Sequence, residues 1–166
     1  MTIKQRKERE RAARREAILE AARAVFAEKG LLTSTIDEIA ERAELGKGTI
    51  YLYFKTKEAM YHALMHRGLE LLVQRFEEVI DPVLPADQNL LRLSDAYYRF
   101  YREEPQYFKL LFFFSHADVR AKAGVEPGEH ESGNCLKHVA AMIQKGIDDG
   151  IFSPAVSAWS ASSCEG

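Results

Sequence analysis

The apolar residues of the first eighty positions recur at intervals of three and four. Ala17, Ile18, Ala21, Ala22, Val25 and Phe26 fall on one side of a 3.6-residue period. That spacing predicts a helix that begins within residues 5–9 and stops at Gly30, a residue suited to the position past a helix end. A second, shorter helix follows. Ser34 or Thr35 can cap it, Asp37 and Glu38 occupy its first turn, and Ile36, Ile39, Ala40 and Ala43 keep the helical spacing. The next stretch, residues 45–57, reads LGKGTIYLYFKTK, and its TIYLYF centre mixes β-branched and aromatic residues as a strand does. A lone six-residue strand has no partner for its backbone N–H and C=O groups. The segment is therefore read as a short helix after a tight turn, with Ile50 and Phe54 inward.

Beyond it, Thr56 can cap a long helix through Met60, Leu64, Leu71, Leu72, Phe76 and Val79, which the prolines at 82 and 85 end. Further helices are expected over 87–103, over 105–116 with Pro105 at its first position, and over about 131–149. AGVEPGEHESG (123–133) reads as a loop. No repeat and no other strand pattern appears, so the fold class is all-α.

At 166 residues the chain suits one domain or a small module, and 46% hydrophobic residues suffice for a core, which argues against wholesale disorder. Two cysteines form no disulfide framework, the N-terminus is charged where a secretory signal would be apolar, and the longest apolar run is LLFFF at 110–114. These features predict a soluble cytoplasmic protein with no membrane partner. The net charge of −2 conceals an asymmetry: residues 1–57 hold 13 Lys+Arg against 9 Asp+Glu, whereas residues 58–166 hold 10 against 16. A basic head and an acidic, aromatic-rich body point to different partners.

The two short helices and the turn between them make a helix-turn-helix pattern, in which the second helix enters the DNA major groove. Gly46 and Gly48 would allow close approach, and the helix N-terminus favours phosphate. Lys47 can reach a guanine edge or a phosphate, Thr49 a phosphate or a thymine methyl, and Tyr51, Tyr53, Lys55 and Lys57 suit phosphate. A packed helical hairpin with ordinary surface lysines fits the same pattern. Ahead of it stand Arg6, Arg9, Arg11, Arg14 and Arg15, interleaved with Glu8, Glu10 and Glu16. A solvated helix with i,i+4 ion pairs is favoured there over an extension of the first helix towards the DNA backbone or an arm near the minor groove.

The stretch ILEAARAVFAEKG…TSTIDEIAERAELGKGTIYLYFKTKEAM (18–60) resembles the N-terminal signature of TetR/AcrR-type transcriptional regulators. The resemblance implies a three-helix DNA-binding head (1–57), followed by a helical-bundle effector and dimerisation domain (58–166). The implied partners are a palindromic double-stranded operator, a small hydrophobic effector and a second copy of the chain; no cofactor and no enzymatic activity are implied. The family's DNA-contact positions fall on Ser34, Thr35, Lys47, Gly48, Thr49, Tyr51, Tyr53 and Lys57. The family usually has Gly where this chain has Glu44 and Ser where it has Gly46, so Glu44 is expected in a left-handed turn conformation and a usual cap is missing. The family generally continues through two dimer-forming helices where this sequence ends, so the body reads as C-terminally shortened.

Residues 94–119 concentrate nine aromatics, most of them suited to a helical core. Tyr98, Tyr101, Phe108, Phe112 and Met142 are the candidates to line an effector pocket. Two other readings stay open. His62 and His66 have the spacing of a helical metal pair, with Glu58, Glu70 or Cys135/His138 as further ligands, although exposed polar residues on a long helix explain them as well. An enzyme using Cys135 and His138 is the remaining alternative, without a persuasive catalytic constellation.

Overall fold

The computed structural model describes residues 2–112 and 132–153, and among them the chain is helical with no strand. Among the described residues seven helices run in order: α1 (Ile3–Lys29), α2 (Ile36–Arg42), α3 (Lys47–Tyr53), α4 (Lys57–Val79), α5 (Ala86–Glu103), α6 (Pro105–Phe112) and α7 (Ser132–Asp148). The all-α expectation holds. α1 starts two residues before the expected window because Thr2 and Gln5 form a reciprocal capping box, a T-x-x-Q signal legible in the sequence. The end of the expected 105–116 helix and most of the expected loop lie outside the described residues.

The helices gather into two compact units, Met1–Gly68 with Pro105–Pro127 and Leu69–Glu104 with Gly128–Gly166. In the first, Ile18, Leu19, Ala22, Val25, Phe26, Ile39, Ala40, Ile50, Phe54, Met60, Tyr61 and Leu64 are buried. These include most of the positions marked by the helical period, so burial of one apolar face is what assembles α1–α3 and the start of α4. Phe26 and Tyr61 meet edge to face, with centroids 5.7 Å apart. The buried Tyr61 hydroxyl donates to the Leu110 carbonyl at 2.7 Å and so ties α4 to α6, while burial pushes its phenol pKa up. Gly68 permits the close approach of α6, since a Cβ there would stand 3.0 Å from Tyr107 Cδ1.

In the second unit Leu72, Val73, Phe76, Leu93, Ala96, Phe100 and Met142 are buried. Buried Asn89 holds the α4–α5 connection: its Oδ1 accepts from Asp81 N at 2.9 Å and its Nδ2 donates to the carbonyls of Asp81 and Leu84. Arg75 lies over the Phe100 ring and pairs with Glu103. Both units meet the same requirement, that polar groups taken out of water find partners.

Candidate nucleic-acid interface

The helix-turn-helix is built by local hydrogen bonds around a small apolar centre. Thr35 caps α2 in a full capping box: its Oγ1 accepts from Glu38 N at 3.2 Å, and Glu38 Oε2 accepts from Thr35 N at 2.9 Å. Glu38 also pairs with Lys29, and that hydrogen bond, followed by the one from Thr35 N–H, holds its carboxyl below the usual range and raises Lys29. Arg42 pairs with Glu28 at 2.8 Å, so both ends of α2 are pinned to α1. The turn follows from Leu45 N–H donating to the Ala40 carbonyl at 2.9 Å, with Glu44 at φ 53°, the expected left-handed conformation. Gly46 caps α3 with no side-chain bond, as expected from the missing serine.

Residues expected to point inward do so: Ile50 is fully buried and Phe54 nearly so. At 100° per residue, the direction opposite them belongs to Gly48 and Leu52, with Thr49 and Tyr51 on either side. A Cβ on Gly48 would meet nothing within 4 Å, so the fold itself makes no use of the missing side chain. Leu52 is 77% exposed. The helical period alone puts it off the inward face, but it is not among the DNA contacts expected from sequence, although it stands four residues after Gly48 and opposite the Ile50–Phe54 stripe.

The other candidates divide. Thr35 and Tyr51 are exposed, and Thr49 and Tyr53 half-buried. Lys47 is exposed but engaged: its Nζ lies 2.9 Å from Asp37 on α2, which raises its pKa. Ser34 is 2% exposed, and its hydroxyl donates inward to the Leu31 carbonyl at 2.9 Å. Lys57 spends its ammonium on three carbonyls of the α1–α2 connection, those of Leu31, Leu32 and Ser34, at 2.7–3.1 Å. Ser34 and Lys57 thus hold the loop that carries Thr35, a use that residue type alone could not separate from phosphate binding.

The aromatic candidates also separate. Tyr98 and Tyr101 are exposed on α5 with ring centroids 6.4 Å apart, and Met142 is buried on α7 in the same unit. Phe108 on α6 is half-buried and belongs to the first unit, as does Phe112, whose side chain lies outside the described residues. His62 is half-buried and His66 exposed on α4. Among the described residues no three His, Cys, Asp or Glu side chains form a group able to hold a metal, so the metal-sensing alternative gains no support. The side chains of Cys135 and His138 lie outside the described residues.

A helix-turn-helix with a small, open-faced second helix defines a DNA-binding regulator, and comparison with known proteins narrows the class. Residues 18–64 match the family described as bacterial regulatory proteins, tetR family. The chain is 30% identical over 141 residues to the HTH-type transcriptional regulator YhgD of Bacillus subtilis, covering 85% of this chain and 73% of that protein. It is 28% identical over 147 residues to the HTH-type transcriptional repressor KstR2 of Mycolicibacterium smegmatis, covering 86% and 69%. The solved structure of the ketosteroid transcriptional regulator KstR2 of Mycobacterium tuberculosis superposes with a TM-score of 0.62 at 24% identity, covering 85% of this chain and 71% of that one. The chain belongs to the TetR family of transcriptional regulators. The family is one of transcriptional regulators, which are generally not enzymes, and no described helix is long and apolar enough to cross a membrane.

Proposed function

We propose that this chain is a cytoplasmic repressor that binds a palindromic operator as a homodimer and releases it when a small hydrophobic molecule occupies the C-terminal domain. Residues 1–57 act as the reading head and residues 58–166 as the effector and dimerisation domain. The carrying observation is the outward face of α3. Gly48 leaves room that the fold does not use, and a helix laid in the major groove needs that room. Leu52 then meets base edges, where an apolar side chain suits a thymine methyl. Tyr51, Tyr53, Thr49 and Thr35 take phosphates or base edges alongside. Lys47 exchanges Asp37 for a phosphate or a guanine edge, which is feasible because a solvent-exposed ion pair contributes little to stability.

The repressor reading is supported by the similarity to the Mycolicibacterium repressor, and a ketosteroid-like effector by the likeness to the Mycobacterium ketosteroid regulator. Tyr98, Tyr101 and Met142, all of the second unit, remain the proposed effector contacts. Release requires the effector to bind the conformation that does not bind DNA more tightly than the one that does.

The test is binding of the full chain to a duplex selected from a random library, titrated against salt. Affinity should fall steeply with salt. Gly48→Leu should leave the thermal midpoint unchanged or raised, because leucine is the better helix former and its side chain enters open space, yet reduce binding at least tenfold. A folded Gly48→Leu variant that binds as well as the wild type overturns the docking. A full chain that selects no duplex at low salt overturns the function. A panel of ketosteroids should include one compound that raises the melting temperature and releases the duplex.

A further inference from the structure

The N-terminal half of α1 is a helix without a core. From Ile3 to Ala17 every residue is exposed, whereas Ile18, Ala22 and Val25 beyond it are buried. These buried residues follow a register that extends backwards through the exposed half to Arg14, Arg11, Lys7 and Lys4, at steps of three and four. The stripe that is apolar within the head therefore becomes basic where the helix leaves it. Among the described residues, Lys4, Lys7, Arg11 and Arg14 form no ion pair or side-chain hydrogen bond, although carboxylates are close by. Glu10 pairs with Arg6 off the stripe, Glu16 pairs with Arg67, and Glu8 lies at the stripe's edge. Favoured i,i+4 pairing is realised at Arg6–Glu10 and not along the stripe.

The place where this helix leaves the core is also defined. The Arg15 guanidinium lies 5.0 Å above the Phe54 ring, and Phe54 is the C-cap of α3. The basic stripe thus starts beside the end of the proposed recognition helix. The ten helical steps from Lys4 to Arg14 cover about 15 Å, slightly more than the roughly 12 Å width of the major groove.

We infer that the first four turns of α1 are a second DNA-gripping element, in which Lys4, Lys7, Arg11 and Arg14 take phosphates flanking the operator without reading sequence. This rests on the proposed DNA binding, and it differs from a minor-groove arm because the segment is a capped helix. A rigid helix keeps its cations in register at less entropic cost than a disordered tail would incur. Its contribution is to affinity and salt dependence, while discrimination stays with α3.

The test uses full-length protein, wild type and a variant carrying Lys4→Ala, Lys7→Ala, Arg11→Ala and Arg14→Ala. Alanine favours the helix, so circular dichroism and melting should be preserved. Affinity is measured on the shortest selected duplex and on the same duplex lengthened by about ten base pairs on each side, one helical turn. The wild type should gain tenfold or more from the added flanks whatever their sequence, and the variant nothing. On the long duplex the variant should lose about 0.9 of log–log salt slope per phosphate released, some three to four per chain. Arg6→Ala, off the stripe, should behave as the wild type.

Equal gains in wild type and variant, or no gain in either, overturn the inference. So does a variant with unchanged DNA binding that loses affinity for phosphatidylglycerol vesicles, which would assign the stripe to a membrane surface. Failure of DNA binding altogether would show in the wild type on the short duplex, so loss of this inference is distinguishable from loss of the function it rests on.

Discussion

The helix-turn-helix and α5 both expose large side chains, but they bring them to the surface by different means. α5 relies on period alone. Leu93, Ala96 and Phe100 are buried, while Leu91, Tyr98 and Tyr101 on its other sides are exposed. In the helix-turn-helix, period accounts only for Ile39, Ala40, Ile50 and Phe54. The direction of α3 depends on the Thr35–Glu38 box, the three-carbonyl grip of Lys57 and the left-handed Glu44. The surface of α5 should thus tolerate single changes, whereas that of the head should respond to changes in residues that touch no ligand.

The largest expected difference is in the centre of each region. Ile50→Ala removes a fully buried side chain where seven-residue α2 and α3 have few contacts to spare, and should cost about 2–5 kcal/mol. Leu91→Ala, 72% exposed, should stay within about 0.5 kcal/mol. Urea denaturation of both variants checks this. A large loss for Leu91→Ala would mean that a partner covers α5 in solution, and the comparison would break.

A smaller effect separates capping from packing. Thr35→Ala removes one half of the capping box and should cost about 1 kcal/mol by urea denaturation, although the side chain is exposed. The other half is sensitive to pH. Glu38 has a folded pKa lowered first by the hydrogen bond from Lys29 and then by that from Thr35. Its contribution is complete above the ordinary carboxylate pKa and is lost as pH falls through the lowered folded value. Melting followed from pH 6 down to pH 3 should therefore show a smaller acid loss in Glu38→Gln than in the wild type. Equal losses would place acid sensitivity elsewhere.

How much of this was legible follows from the same contrast. The all-α fold, the inward pair Ile50 and Phe54, and the left-handed Glu44 could be read because period and family resemblance each constrain one residue at a time. Lys57 and Ser34 could not, because their partners are carbonyls in a connection whose path exists only after α1, α2 and α4 have packed. The Lys47–Asp37 pair joins residues ten apart, beyond any helical spacing rule. The unpaired stripe of α1 lay hidden for a related reason. By composition the segment is basic but interleaved with glutamates, and only the helix register shows which cations the glutamates leave over.

The smallest predicted effect tests the turn itself. Glu44 holds φ 53°, a region that costs a side-chain-bearing residue about 1 kcal/mol and glycine almost nothing. Glu44→Gly removes that cost but gives the unfolded chain more freedom, worth roughly 0.4–1 kcal/mol in the opposite direction. The net change in stability should be small, a gain of at most about 0.5 kcal/mol. DNA affinity has no such cancellation, since one exposed carboxylate beside α3 is lost and phosphate repulsion falls with it. Operator binding at low salt should tighten several-fold, and the gain should shrink as salt rises, because screening weakens the repulsion that the glutamate had supplied. If stability falls by more than about 1 kcal/mol instead, the Glu44 side chain supports the turn, and the head depends on one more polar contact than its backbone geometry indicates.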